Sequence, residues 1–441
     1  MLMRGTQGIN EKGHLTIGGV DSMKLVEEYG SPLFVYDIAL IKEKVAEFKS
    51  AFSRHQVRWQ VAYASKAFSS IAMIQLMNEL DLSLDVVSGG ELFTALKAGF
   101  PSERIHFHGN NKTQAELEYA LEERIGTIII DNFYELSLLN QLCKERQQTI
   151  DILLRTTPGV QAHTHSYIMT GQEDSKFGFN LDNGSLEEAI QKAQNSPFLI
   201  LKGLHCHIGS QIFSDESFVQ AINKMFQKLR EWKQRYDFEI KVLNVGGGFG
   251  IKYSAEDTPL MIGEFVDTIV SAIVDQCDSL GIAYPEIWVE PGRILVAEAG
   301  TTLYTIGAFK DIPQMRKYIS VDGGMTDNLR PALYQAKYEC LVANKAPAPA
   351  DDTVTIAGKC CESGDILIWD AKLPSTTEPN DILAVFCTGA YGYAMANHYN
   401  RMPKPAVVFV ENGSSQLVIQ RETYEDLIKH ELPLKQSILI N

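Results

Sequence analysis

The chain has 441 residues, 45% of them apolar and 22% charged, a composition ordinary for a globular protein but a length beyond one compact domain. A formal charge of −15 argues against nucleic acid as a partner, and no stretch approaches ~18 consecutive apolar residues, which argues against a membrane span. Seven irregularly spaced cysteines, behind an N-terminus without a signal-like apolar run, point to free thiols in a reducing cytoplasm.

In chain order, residues 1–40 read as an irregular start, a short helix near 21–29 and an extended piece at 32–36. Helical spacing follows over 38–52. Short apolar strands then alternate with amphipathic helices. The strands fall at 58–65, 84–87, 105–108, 127–131, 152–156, 201–207, 242–245 and 286–290. The helices fall at 71–79, 91–98, 114–123, 132–145, 186–195, 218–235 and 263–279. Eight such units in roughly 240 residues predict an α/β fold, a (β/α)₈ barrel of TIM type with its chemistry at the C-terminal strand ends. Beyond Arg293 the helical patterns fade into short alternating segments, the last two flanking Glu411, Asn412, Gly413 and Ser414, a hairpin turn. We assign residues 38–295 to the barrel, and 1–37 with 296–441 to a mostly antiparallel β-barrel or sandwich domain.

The unusual residues sit at the predicted strand ends. In VRWQVAYASK the period-2 alternation of the first strand leads to Lys66 on its small-residue face. A lysine there either marks where the strand meets solvent or enters a pocket where desolvation makes it a usable amine. The second strand carries Asp85 and runs into Ser88, Gly89, Gly90 and Glu91. The sixth gives His205, Cys206, His207, Ile208, Gly209 and Ser210, the seventh Gly246, Gly247 and Gly248, and the eighth Glu290, Pro291, Gly292 and Arg293. Consecutive glycines after a buried strand let backbone N–H groups converge on an anion, and Arg293 supplies a cation for the same phosphate. Glu290 is a carboxylate on an otherwise apolar strand; a buried ion pair with Arg293 would also account for it.

His205 and His207 are two apart, hence on one strand face, and His163 and His165 repeat the spacing. A zinc hydrolase barrel therefore competes. The β domain adds Cys360, Cys361, Glu362 and Asp365 in one polar loop, and Tyr391 between glycines. A lysine amine, a phosphate nest with an arginine, a carboxylate, a stacking imidazole and a thiol acid together match the needs of pyridoxal phosphate chemistry.

The motifs YASKA, DVVSGGEL, SKFGF, GLHCHIGSQ, NVGGGFG, EPGR, DGGMTDNLRPALY, CESGD and GAYGYAMANHYN cover essentially the whole chain. On these the chain resembles the bacterial diaminopimelate decarboxylases, in the alanine-racemase-like, fold type III family of pyridoxal phosphate decarboxylases. The resemblance implies that Lys66 carries pyridoxal 5'-phosphate through a Schiff base and that His207 stacks on its ring. Asp85, Ser210, Gly246, Gly247, Gly248, Gly292, Arg293 and Tyr391 would line the cofactor, with Glu290 facing the pyridine nitrogen. Cys361 would be the proton donor. Arg330, with Arg293, Tyr334 and Tyr391, would take the distal carboxylate of meso-diaminopimelate, and Glu362 its distal amino group. The implied reaction releases CO₂ and L-lysine, the last step of lysine biosynthesis. The implied assembly is a homodimer whose Cys361 loop enters the partner's barrel. No metal, nucleic acid or membrane is expected. The alternatives are a related decarboxylase of arginine, ornithine or carboxynorspermidine, a non-catalytic cofactor-binding regulator, and the metallohydrolase.

Overall fold

The computed structural model describes residues 3–160 and 174–435, so His163 and His165 lie outside the described residues. The chain divides into two compact units, Ala39–Glu298 and a second made of Met1–Ile38 with Ala299–Asn441.

The first unit is the predicted barrel. Its strands are β1 (Trp59–Ala64), β2 (Ser83–Val86), β3 (Ile105–Phe107), β4 (Thr127–Ile130), β5 (Ile150–Thr157), β6 (Leu199–His205), β7 (Val242–Asn244) and β8 (Glu286–Val289). Each pairs in parallel with its sequence neighbours, and β8 pairs with β1, which closes the ring. Parallel strands buried on both faces need continuous apolar runs, and β2, β3 and β4 are buried at every residue. The helices that return the chain start where a polar side chain can satisfy their first N–H groups. Ser70, Ser88 and Asn132 each cap the helix that follows, and Thr113 forms a capping box with Glu116. Each cap contributes about 1 kcal/mol and fixes how a strand end turns into its helix.

The second unit is a mostly antiparallel sheet. In spatial order its strands are Ile366–Leu373, Asp352–Ala357, Arg316–Val321, Gly300–Ile312, Leu33–Asp37, Ala406–Glu411 and Ser414–Ile419. Ile382–Phe386 pairs with Gly300–Ile312 as well. Two pairings are parallel, Arg316–Val321 with Asp352–Ala357 and Leu33–Asp37 with Ala406–Glu411. Leu33, Val35, Leu303, Ala384, Phe386 and Val408 form its apolar core. The hairpin turn is as read from the sequence, with Asn412 and Gly413 both at positive φ, the two left-handed positions a type I′ turn needs. The short helix Arg330–Tyr334, with Pro331 in its first turn, and the strand Cys340–Val342 were not anticipated. Among the described residues no helix is long and apolar enough to cross a membrane.

Candidate active site

The ladder hydrogen bonds of β1 end at Ala64, paired with Asp85. Lys66 therefore stands on a 3₁₀ turn, Ser65–Ala67, rather than on the strand, and is exposed rather than buried. The turn is anchored by Ser65, whose hydroxyl donates to the Asp85 carbonyl at 2.6 Å. The Lys66 charge acts on two neighbours, Glu91 and His207. Glu91 accepts the Val87 N–H at 2.7 Å. Burial raises its carboxyl above the usual range.

Glu290 follows β8 and does not pair with Arg293. Its Oε1 accepts from the Asn244 side-chain amide at 2.6 Å and lies 3.1 Å from His205 Nε2 and 3.3 Å from His108 Nε2. Burial and the Asp85 charge push its pKa up, but His205 and His108 outweigh them and hold it at about 2. Glu290 is thus ionised at neutral pH inside the barrel mouth. Burial drives His108 well below the imidazole range, and the Glu290 charge beside it opposes that shift. Asp85 lies beside this layer, 3.3 Å from His106 Nδ1 and 3.5 Å from His108 Nε2. Below it His106 stacks on Trp288, their ring centroids 4.3 Å apart.

His205 and His207 take different partners. His205 ends β6, in register with Asn244 and Arg155, whereas His207 lies beyond the ladder. Its Nδ1 accepts the Gly247 N–H at 3.2 Å, so its proton is on Nε2. Burial and the neighbouring Lys66 cation drive its pKa well down, keeping the ring neutral. The compact donor group is instead His108, His205 and Glu290, whose ligand atoms lie within 4.8 Å of one another.

The glycine loop closes against its neighbours. A side chain at Gly246 would strike the Cys206 carbonyl, and one at Gly247 the Glu290 carbonyl. Gly246 and Gly248 also hold positive φ, at 73° and 104°. Phe249 secures the loop by packing on Phe48, Phe218 and Phe265 of three surrounding helices. The Gly246 N–H is directed to Asn244 Oδ1 and the Gly247 N–H to His207. Arg293 donates to Ser210 Oγ at 2.9 Å and to the Tyr253 hydroxyl at 2.6 Å. Gly292 packs on Ala64, with 3.1 Å between its added Cβ and that of Ala64, which brings Arg293 beside the Lys66 turn. A cation, a hydroxyl and glycine backbone at adjoining strand ends suit a phosphate, and an ionised carboxylate among histidines suits a pyridine N–H. The residues present fit pyridoxal phosphate.

In the second unit Arg330 is buried, its guanidinium 5.3 Å from the Tyr334 ring centroid and 5.5 Å from that of Tyr391, while its Nε donates to the Tyr338 hydroxyl at 3.0 Å. Tyr391 holds a left-handed φ of 61°, an uncommon backbone for a bulky residue and one that concentrates at functional sites. Cys361 and Glu362 are exposed on their loop. The Cys361 N–H donates to Asn400 Oδ1 at 2.7 Å.

The family model for the pyridoxal-dependent decarboxylase, pyridoxal binding domain, matches residues 38–297. Diaminopimelate decarboxylase of Bacillus subtilis is 61% identical over 438 residues, covering 99% of this chain and 100% of that protein. That of Staphylococcus aureus is 48% identical over 419 residues, covering 95% and 98%. The crystal structure of the M. jannaschii diaminopimelate decarboxylase in complex with L-lysine superposes with a TM-score of 0.90 at 35% identity, covering 97% of this chain and 98% of that one. The chain belongs to the diaminopimelate decarboxylase family. It is a pyridoxal-phosphate-dependent decarboxylase by that membership, and residues 38–297, the barrel, match the pyridoxal binding domain. Beyond the residues given roles from the sequence, the geometry adds Asn244 and Glu91, which lie inside quoted motifs, and His108 and Tyr253, which do not. His108 was legible as a polar strand end, and Asn244 as a polar residue on a strand two positions before the glycine run.

Proposed function

We propose that the protein decarboxylates meso-diaminopimelate to L-lysine and CO₂ in the cytoplasm, as a homodimer whose active sites are shared between subunits. The observation that carries the cofactor part is the ionised Glu290, held by Asn244, His205 and His108 at the strand ends that also bear Lys66. Pyridoxal phosphate supplies an aldehyde that condenses with amines and an electron sink for the pair left when CO₂ departs. Lys66 would be the amine that holds it. Glu290 would keep a proton on its ring nitrogen, Ser210, Arg293 and the Gly246–Gly248 loop would take its phosphate, and neutral His207 would cover its ring.

Arg330 selects the substrate. Diaminopimelate differs from ornithine and lysine in a distal carboxylate, and an arginine fork meets a carboxylate with two parallel N–H donors. The rings of Tyr334 and Tyr391 and the hydroxyl of Tyr338 hold that guanidinium in place. Glu362 is the acceptor for the distal ammonium. Cys361, exposed at its loop tip, would supply the proton to the carbon that loses CO₂.

The test is release of CO₂ from purified protein given meso-diaminopimelate, ornithine, arginine or carboxynorspermidine. Turnover of diaminopimelate alone is expected. Cys361→Ala should bind cofactor and substrate yet lose turnover by about 10²–10⁴-fold, the usual worth of a positioned acid. Wild-type rates in that variant would remove Cys361 from the reaction.

A further inference from the structure

The second unit contains a buried carboxylate that the reaction as described does not use. Asp365 closes the loop that carries Cys361 and Glu362, and is 2% exposed. Its two oxygens face two different loops. Oδ2 accepts the Cys360 N–H at 2.8 Å, within its own loop. Oδ1 accepts the Met325 N–H at 2.6 Å, in the segment that leads from the strand Arg316–Val321 to Arg330.

The space around the carboxylate is closed on both sides. A side chain at Gly324 would bring its Cβ to 2.5 Å from Asp365 Oδ1, and one at Gly358 would strike Oδ2. The backbone repeats the link, with the Lys359 N–H donating to the Gly323 carbonyl at 3.0 Å and the Gly358 N–H to the Asp365 carbonyl at 2.9 Å. A third loop joins the first two. The Asn397 N–H donates to the Thr326 carbonyl at 2.9 Å, and Asn400 accepts the Cys361 N–H. That third loop follows Tyr391, against which Arg330 stacks.

We propose that Asp365 is a positioning residue that locks the loop of the thiol acid to the loop of the carboxylate-binding arginine, so that proton donation and substrate selection are set by one joint. This rests on the reading of Cys361 and Arg330 given above. A single carboxylate suits the task because it accepts two N–H bonds at a fixed separation, one from each loop. Ionised acceptors make shorter and stronger bonds to backbone N–H groups than neutral ones. Misplacement of a reacting group by about 1 Å costs on the order of 10²-fold in rate. A joint between the two loops therefore has a kinetic value separate from its contribution to folding.

The experiment compares Asp365→Asn, Gly358→Ala and, as a control for general destabilisation of the same unit, Asp381→Asn. Asparagine keeps the shape of Asp365 but turns an N–H group toward one of the two donors. Gly358→Ala keeps every charge and displaces the carboxylate by bulk. Each purified holoenzyme is read three ways: cofactor absorbance, kcat and KM for meso-diaminopimelate, and the rate at which iodoacetamide alkylates Cys361, followed by peptide mass. For Asp365→Asn and Gly358→Ala the expected result is unchanged cofactor absorbance, about 10–100-fold losses in which kcat falls and KM rises together, and an altered Cys361 alkylation rate. For Asp381→Asn all three are expected to stay near wild type even where the melting temperature drops. If Asp365→Asn does not accumulate as folded protein, Gly358→Ala decides on the same criteria. Kinetics and alkylation within twofold of wild type in the folded variants would overturn the proposal. Failure of the underlying reading looks different: wild-type turnover in Cys361→Ala, with alkylation still responding to Asp365.

Discussion

Glu290 shows how a single carboxylate is prepared for its role. Removed from water it would tend to take up a proton, but one amide and two imidazoles at 2.6, 3.1 and 3.3 Å keep it charged. Glu290→Gln keeps the shape and loses the charge. It should lower kcat by about 10²-fold or more, in line with loss of one preorganised electrostatic group, while leaving the fold intact by circular dichroism; activity within threefold of wild type would separate Glu290 from the cofactor ring. At this scale the sequence was informative up to the point where hydrogen-bonded pairing stops. Period-2 reasoning places alternate residues on alternate faces only while the ladder lasts. The ladders end at Ala64 and His205, so Lys66 and His207, each two residues further on, escape the rule. The pairing of Glu290 with His108 and Asn244 joins three strands distant in sequence, and no local pattern could show it.

At the scale of elements, the strands and helices were legible because each barrel unit carries its own apolar run and its own cap. The helix at Ile71–Glu79 has the predicted bounds, set by the Ser70 cap. The segment between Val321 and Arg330 had no such pattern, and its order comes from buried side chains. Asp327 accepts the Gly324 N–H at 3.1 Å and the Thr326 hydroxyl at 3.1 Å, beneath Tyr304. Burial, reinforced by the Asp322 charge, raises its pKa to about 7. Tyr304, Asp322 and Asp365 share this interior, and the Arg421 cation acts on Asp322 and Asp327. Because the folded value lies above the unfolded one, the folded state holds the proton more tightly. Stability is then lost as pH rises from about 4 to about 7 and is level above that, by up to on the order of 4 kcal/mol. Asp327→Asn should flatten this slope, and its melting temperature should gain on wild type at pH 8 relative to pH 5. Parallel melting curves for the two proteins across that range would count against a buried, titrating Asp327.

For the whole molecule, the pyridoxal binding domain matched by the family covers the barrel unit, and the sheet unit carries the residues proposed above for the substrate. A site shared across a homodimer makes a quantitative prediction. Lys66→Ala and Cys361→Ala are each inactive, but a heterodimer of the two restores one complete site out of two. Random mixing should therefore recover about a quarter of wild-type activity, the value for an isologous dimer. No recovery after verified subunit exchange would place Lys66 and Cys361 in the same subunit's site.

The central claim is that Lys66 is the amine that holds pyridoxal phosphate in the barrel mouth. Borohydride reduction of the purified protein, followed by peptide mass mapping, tests it most directly. The visible absorbance of the bound cofactor should disappear on reduction, and a phosphopyridoxyl mass should appear on the peptide containing Lys66. No visible absorbance to begin with, or a label carried by another lysine, would contradict the account.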